Sequence, residues 1–374
     1  MFRFIHSSDL HLGKRFGNFP EDLRGRLRES RHGIIERLAS QARDNGANII
    51  LLAGDTFDTE TPSPEVRRQA LAEIRHDSSL RWILLPGNHD SLQAAQLWSD
   101  LKADAPDNIV FATEAETIAL APGIVLLPAP CTTRRPGRDL TEWMDRADTP
   151  EGSIRIGLAH GAIRSFSEDD AASDVIAPDR AKRAGLDYLA LGDWHGAVAV
   201  DDRTHYSGTP EPDRFKHDRP GQALLVSIAG RDAHPEVRPL ETGSFLWRSV
   251  RLELLSSDDA VETLEALLPA ERKRREILMR IIASGRTRVA GRTALAAAVA
   301  HAAPEFAYLE LDDTGVETEC ESDDLDLIDR AGALRQTAET LLAQSNDEKR
   351  NAAERNIARA ALVRLFSYCE KIAK

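Results

Sequence analysis

The run Asn48-Ile49-Ile50-Leu51-Leu52-Ala53 carries no polar residue between its apolar ones. A strand with one face in water alternates, so this one must be covered on both faces. That demands a layered fold with material above and below a sheet. Phe2 to Ile5, Arg81 to Leu85, Ile124 to Leu127, Ile154 to Ala159 and Tyr188 to Leu191 read as further short strands. Between them, Gly33 to Arg43, Pro64 to Arg75 and Leu92 to Lys102 repeat their apolar residues at helical spacing. The alternation predicts an α/β domain.

From Ala197 to Leu240 the pattern becomes strand after turn, and the composition shifts after Gly243. Arg248 to Leu255, Glu276 to Ala283 and Phe306 to Leu311 read as strands, with helices over Ala260 to Leu268 and Thr293 to His301. This predicts a small α+β domain over residues 244–318, after a first domain over 1–243. The acidic stretch Glu319 to Asp326 reads as a linker into a helical region, 319–374. No run approaches the ~18 apolar residues of a membrane span, and the N-terminus lacks the pattern of a signal peptide. Cys131, Cys320 and Cys369 are scattered and odd in number, which predicts neither a disulfide framework nor a thiolate metal site. A cytoplasmic location is expected.

The chemistry lies where strands end. Asp9-Leu10-His11 follows the first, Gly54-Asp55-Thr56-Phe57-Asp58 the second and Gly87-Asn88-His89-Asp90 the third. His160-Gly161 and Gly192-Asp193-Trp194-His195 end two later ones. Ligands collect beyond the carboxyl ends of such strands. Taken singly, each residue has a plainer role as a cap or turn former; their conjunction predicts a metal site. Imidazole and carboxylate donors without thiolate suit Mn, Mg, Fe or Zn. Two ions about 3.5–4 Å apart need one shared carboxylate, and Asp55 is placed to be that bridge.

The ordered series D-x-H, G-D-x-x-D, G-N-H-D, H-G and G-x-x-H resembles the calcineurin-like metallophosphoesterases. Ser7-Ser8-Asp9-Leu10-His11-Leu12-Gly13, Ala53 to Asp58 and Tyr206-Ser207-Gly208-Thr209-Pro210 are similar to the SbcD-type DNA repair exonucleases. The resemblance implies a β-sandwich flanked by helices (αββα), with a small α+β capping domain and C-terminal helices. It implies two divalent ions, Mn first, one on Asp9, His11, Asp55 and His195. The other would rest on Asp55, Asn88, His160 and the residue at 193, where Asp193 replaces the family's usual histidine. His89 would be the general acid for the leaving oxygen, with Asp58 orienting it and stabilising its imidazolium. Asp58 as a helix cap before Pro62-Ser63-Pro64 is the alternative.

With 61 acidic against 48 basic residues, the net charge of −13 repels polyanions, so a DNA substrate needs local cations. Arg24, Arg26 and Arg28, with Arg31, form one candidate patch, and Arg272, Lys273, Arg274 and Arg275 another. A solvated helix face or loop explains either as well. Ile357, Ala361, Leu365, Phe366, Cys369 and Ile372 make an apolar stripe, facing either the chain's own body or a partner. The resemblance implies docking on an SbcC-like coiled-coil ATPase, since this chain has no phosphate-binding Gly-x-x-x-x-Gly-Lys loop of its own. A homodimer is a further expectation. A small-substrate phosphodiesterase and a regulatory subunit with a decayed site are the competing readings.

Overall fold

The computed structural model describes residues 1–163, 175–216, 218–319 and 332–373. Cys320 and the acidic stretch beyond Glu319 lie outside the described residues. Two compact units are present, Met1–Leu246 and Trp247–Lys374.

The strands of the first unit are β1 (Phe2–Ser7), β2 (Ile49–Leu52), β3 (Arg81–Leu84), β4 (Ile109–Phe111), β5 (Ile118–Ala121), β6 (Ile124–Ala129), β7 (Ile154–His160), β8 (Tyr188–Gly192), β9 (Val198–Ala199), β10 (Thr204–Tyr206), β11 (Gln222–Ile228) and β12 (Glu236–Glu241). Among the described residues they form two sheets, ordered β12-β11-β1-β2-β3-β4 and β5-β6-β7-β8-β10-β9. The strands that carry the motifs run parallel to their neighbours: β1 with β2, β2 with β3, and β7 with β8. Parallel pairing puts their carboxyl ends on one edge.

Each strand's alternate residues enter different layers. Ile49 and Leu51 pack with Phe4, Ile83, Leu126, Ile156, Leu158 and Tyr188 between the sheets. Ile50 and Leu52 point the other way, onto Ile34, Leu38, Leu71, Leu97 and Trp98 of the helices. Those helices are α1 (Glu21–His32), α2 (Ile34–Asp44), α3 (Pro64–Arg75) and α4 (Ala95–Asp104). The second sheet's outer face, with Leu127, Leu189 and Leu191, is covered by Met144 and by Ala181 of the short helix α5 (Arg180–Arg183). The result is the αββα sandwich. The start of α3 is capped by Ser63, whose hydroxyl accepts from Val66 N with Pro64 in the first turn. Asp58 is therefore released from that task.

The second unit holds β13 (Leu246–Leu254), α6 (Ala260–Leu267), β14 (Ile277–Arg288), α7 (Val289–Ala302), β15 (Tyr308–Glu319), α8 (Ala333–Asn346) and α9 (Ala352–Ala373). Its sheet is ordered β13-β14-β15. Helices α8 and α9 close on α7 through Ala338, Leu362, Phe366 and Val289. The buried stripe of α9 is Ala358, Leu362 and Phe366, while Ile357 is 70% exposed. Of the stripe read from sequence, Leu365, Phe366 and Cys369 pack on this cluster, Ile357 faces outward, and the Ile372 side chain lies outside the described residues. At 3.6 residues per turn, a one-residue offset rotates a side chain by roughly 100°, from the inner face to the outer.

Candidate metal centre

Five strand ends from both sheets meet at one edge of the first unit. β1 leads to Asp9 and His11, β2 to Asp55 and Asp58, and β3 to Asn88 and His89. β7 ends on His160 itself, and β8 leads to Asp193 and His195. The first two loops continue to pair beyond their strands: Asp9 N donates to Gly54 O at 3.1 Å, His11 N to Asp55 O at 3.0 Å and Leu12 N to Thr56 O at 2.9 Å. Asp9, His11, Asp55 and Asp193 all have positive φ, between 45° and 94°. Such backbone costs of order 1–3 kcal/mol per residue and persists where the surroundings impose it. Here it turns four donors toward one point.

Glycine is required where the loops close. A Cβ on Gly54, itself at φ 90°, would overlap the His160 ring, and one on Gly87 would overlap the Asp55 carboxylate. The next acidic residue of that loop, Asp90, accepts from Phe57 N at 3.0 Å and Gly87 N at 2.7 Å. Burial, reinforced by Asp55, pushes the Asp90 carboxyl up to about 7. Asp90 thus ties the Asp55 loop to the Asn88 loop.

The donors converge in overlapping groups. Nε2 of His11 lies 3.3 Å from Nε2 of His195, 3.9 Å from Asp9 Oδ1 and 3.8 Å from Asp55 Oδ2. Nε2 of His160 lies 3.5 Å from Asp55 Oδ2 and 3.8 Å from Asp193 Oδ1. Two ligands of one ion at about 2.2 Å can stand up to about 4.4 Å apart, so these spacings suit shared ions. Asp9, His11 and His195 form one potential metal-holding group, and Asp9, Asp55 and His160 another.

Two buried atoms test the fit. His160 donates from Nδ1 to Ala53 O at 2.8 Å, leaving its buried Nε2 with no hydrogen-bond partner among the described residues. Asn88 donates from Nδ2 to Asp193 Oδ1 at 3.1 Å, leaving its buried Oδ1 equally orphaned. A buried polar atom left without a partner is costly, and a divalent cation, displacing the proton from His160, removes the cost at both. Burial lowers the basicity of His160, but Asp55, Asp9 and Asp193 outweigh it and raise the imidazole to about 9. Burial also opposes ionisation of Asp9, yet His195, His160 and His11 hold its carboxyl below the usual range. Burial, with Asp9 and Asp55 nearby, pushes Asp193 up. The cluster is short of positive charge, and its oxygen and nitrogen donors fit a divalent cation.

The role expected of Asp58 needs correction. His89 Nδ1 donates to the main-chain carbonyl of Asp58 at 2.8 Å, while His89 N donates to Asp55 Oδ1 at 2.8 Å. The Asp58 carboxylate instead faces His11 Nδ1 at 3.4 Å and Lys14 Nζ at 3.6 Å. Asp58 does orient His89, but with its backbone; its carboxylate faces His11 and also lies within 4.8 Å of a His89 ring nitrogen.

Sequence reasoning missed Asp213. This buried carboxylate faces His195 Nδ1 at 3.4 Å, Lys14 Nζ at 2.8 Å and Arg214 Nε at 3.0 Å. Despite burial, His195, Arg31 and Lys14 hold it far below the ordinary carboxylate range. His11 and His195 are thus each oriented through Nδ1 by a carboxylate, an arrangement that fixes the tautomer of a ligating imidazole. The segment Glu211-Pro212-Asp213 has no periodic or motif signal that would have singled it out.

The basic candidates do not act as one patch. Arg31 is buried, donating to Leu10 O at 2.5 Å and Glu211 O at 2.7 Å. Arg24 is half-buried, Arg26 lies over the Phe245 ring at 5.3 Å, and Arg28 donates to Arg24 O at 3.3 Å. In the second unit Arg274 pairs with Glu305 and covers Phe306, whereas Lys273 and Arg275 are exposed. Arg272 lies in the turn Glu271–Glu276 with its side chain outside the described residues.

The family model of the calcineurin-like phosphoesterases matches residues 2–197, which contain every motif from Asp9 to His195. The chain belongs to that family. Its curated relatives include an uncharacterized metallophosphoesterase, YhaO, of Bacillus subtilis, 26% identical over 67% of this chain and 63% of that protein. The SbcD component of the nuclease SbcCD of Escherichia coli is also 26% identical, over 60% of this chain and 64% of that protein. The match therefore spans a little under two thirds of these relatives' own length. Among solved structures, TT1561 of Thermus thermophilus aligns with a TM-score of 0.43 at 10% identity, covering 64% of this chain and 99% of that one. Among the described residues, no helix of this calcineurin-like phosphoesterase is long and apolar enough to cross a membrane.

Proposed function

We propose that this chain is a binuclear metal-dependent phosphodiesterase that cleaves DNA, as an exonuclease and also within strands, in repair. The observation that carries the reading is the pair of orphaned atoms, His160 Nε2 and Asn88 Oδ1, beside the carboxylates of Asp55 and Asp193. Asp9, His11, Asp55 and His195 would hold one ion, and Asp55, Asn88, His160 and Asp193 the other. Bound divalent ions, Mn before Mg, Fe or Zn, would supply Lewis acidity and lower the pKa of water.

The chain's own residues supply the proton. Nδ1 of His89 is committed to the Asp58 carbonyl, so Nε2 is the nitrogen free to serve substrate. Protonated there, it would donate to the leaving oxygen as a general acid. The His89 ring lies beside His11, centroids 4.9 Å apart, which keeps it next to the proposed ligands.

Similarity to the SbcD component of the nuclease SbcCD supports DNA as substrate and an SbcC-like ATPase as partner. The second unit would then act as the capping domain and the exposed face of α9 as a partner surface. We place the protein in the cytosol, where reduced thiols such as those of Cys131 and Cys369 persist. The orphaned atoms Asn88 Oδ1 and His160 Nε2 argue against a decayed regulatory subunit.

The deciding experiment is hydrolysis of linear DNA and of bis-p-nitrophenyl phosphate with Mn or Mg, with and without chelator. Chelator-sensitive cleavage of both supports the reading. Cleavage of the small ester alone would point to a small-substrate phosphodiesterase, and cleavage of neither to a non-catalytic protein.

A further inference from the structure

A cavity of about 390 Å³ opens beside His195, and its wall includes Trp194, Arg214, Lys216 and Arg219. This volume falls within the ~300–1,000 Å³ of small-ligand pockets. It lies next to a cluster whose carboxylates, in a chain of net charge −13, repel a polyanion. A nucleic-acid strand can approach only where local cations offset that field.

Most cations near the centre are already committed. Lys14 serves Asp213 and Asp58. Arg31 is spent on main-chain carbonyls, and Arg37 pairs with Glu211 at 2.7 Å. Arg214 differs. Its Nε is anchored on Asp213 Oδ1 at 3.0 Å, while its side chain is 52% exposed. Its Nη2 stands 3.2 Å from both ring nitrogens of His195. Equal distances to two nitrogens describe a side-on contact, and a guanidinium has only donors to offer. Nδ1 of His195 already faces Asp213 at 3.4 Å. A cation held by Nε2 would repel Nη2 while leaving the Nε anchor in place. Among the described residues, the outer edge of Arg214 then lacks an acceptor and borders the cavity, whose wall holds the exposed Lys216 and Arg219 together with Asp218. Lys216 Nζ stands 4.8 Å from the centre of the Trp194 ring, which holds a second positive charge over the pocket.

We propose that Arg214, Lys216 and Arg219 form a phosphate subsite that takes the phosphodiester next to the one at the metal centre. This rests on the phosphodiesterase reading above and specifies its substrate as a polynucleotide strand. A substrate with a single phosphate uses the metal centre alone; a strand engages both. Arg214 is a binding residue, and Asp213 positions it.

The test uses the full chain loaded with Mn. Binding of a fluorescein-labelled oligothymidylate is followed by anisotropy across a salt series, in the His89→Gln background so that the strand stays intact. Arg214→Gln should weaken binding roughly tenfold, the weight of one charge-assisted contact. Among the described residues, neither Lys216 nor Arg219 pairs with His195 or Asp213, so losses in Lys216→Gln and Arg219→Gln are not losses of the metal site. Together the three substitutions should flatten the log–log salt slope by roughly 2, at about 0.7 per single-strand phosphate contact. With His89 restored, the preference for the oligonucleotide over bis-p-nitrophenyl phosphate, as a ratio of kcat/KM, should fall at least tenfold. An unchanged affinity and slope in the triple variant, or equal losses on both substrates, would overturn the subsite. A wild-type protein that hydrolyses neither substrate overturns the phosphodiesterase reading instead, and the salt slope still judges the subsite.

Discussion

The Lys14 ammonium stands 2.8 Å from the buried carboxylate of Asp213 and so closes a ring around the first proposed ion. It also reaches Asp58 at 3.6 Å, and those two carboxylates face Nδ1 of His195 and of His11. One cation therefore holds the orienting partners of both imidazoles.

Removing that cation should loosen both ligands together. Lys14→Met is expected to lower affinity for the Mn ion that His11 and His195 would hold by about 10- to 100-fold, as outer partners of metal ligands typically do. Lys14→Arg should recover much of the loss. Titration calorimetry with Mn checks this, and a Lys14→Met protein that binds Mn as tightly as wild type would remove Lys14 from the metal centre.

His89→Gln should retain both ions and lose about 100- to 10,000-fold in turnover of DNA, the usual weight of general acid catalysis. Esters with a p-nitrophenolate leaving group need less protonation and should lose less. If poor and good leaving groups suffer alike, His89 has another task.

Asp193→His replaces a carboxylate with imidazole and removes the carboxylate oxygen that accepts from Asn88 Nδ2. The second ion should then shift its preference toward softer metals, read as the ratio of Zn to Mg affinity. Unchanged selectivity would place Asp193 outside the coordination of the second ion.

The metal-free protein should show an unusual alkaline weakness. His160 is raised from 6.5 to about 9 in the folded chain, by carboxylates that outweigh its burial. A group raised on folding contributes stability that is fully present below pH 6.5 and lost as pH rises to 9. Melting temperature under chelator should thus fall across that window, and the His160→Gln protein should lack the fall. In the same window Mn must displace a proton from His160, so apparent metal affinity should rise with pH up to about 9. Calorimetry in buffers of different ionisation enthalpy counts that proton, and a proton count of zero at about pH 7 would remove the competition.

What the sequence by itself determined was the set of candidate donors and the layered sheet. Each motif is a short apolar run followed at once by its Asp, Asn or His, so strand, turn and donor lie within a few adjacent residues. The two-sided burial of β2 was legible for the same reason, because Ile49 to Leu52 offers no polar face. Only the tertiary structure decided which atoms those residues use. Asp58 turns its carbonyl to His89 and its carboxylate to His11 and Lys14, an orientation that spacing alone does not encode. Asp213 reaches His195 and Lys14 from a segment without a motif, because folding brings β10 and the loop after it against the first strand's loop, where Thr209 Oγ1 donates to Asp9 O at 2.9 Å. Electrostatic pairing between distant parts of a chain leaves no periodic trace in its sequence; it exists only once packing has brought the charges within a few ångströms.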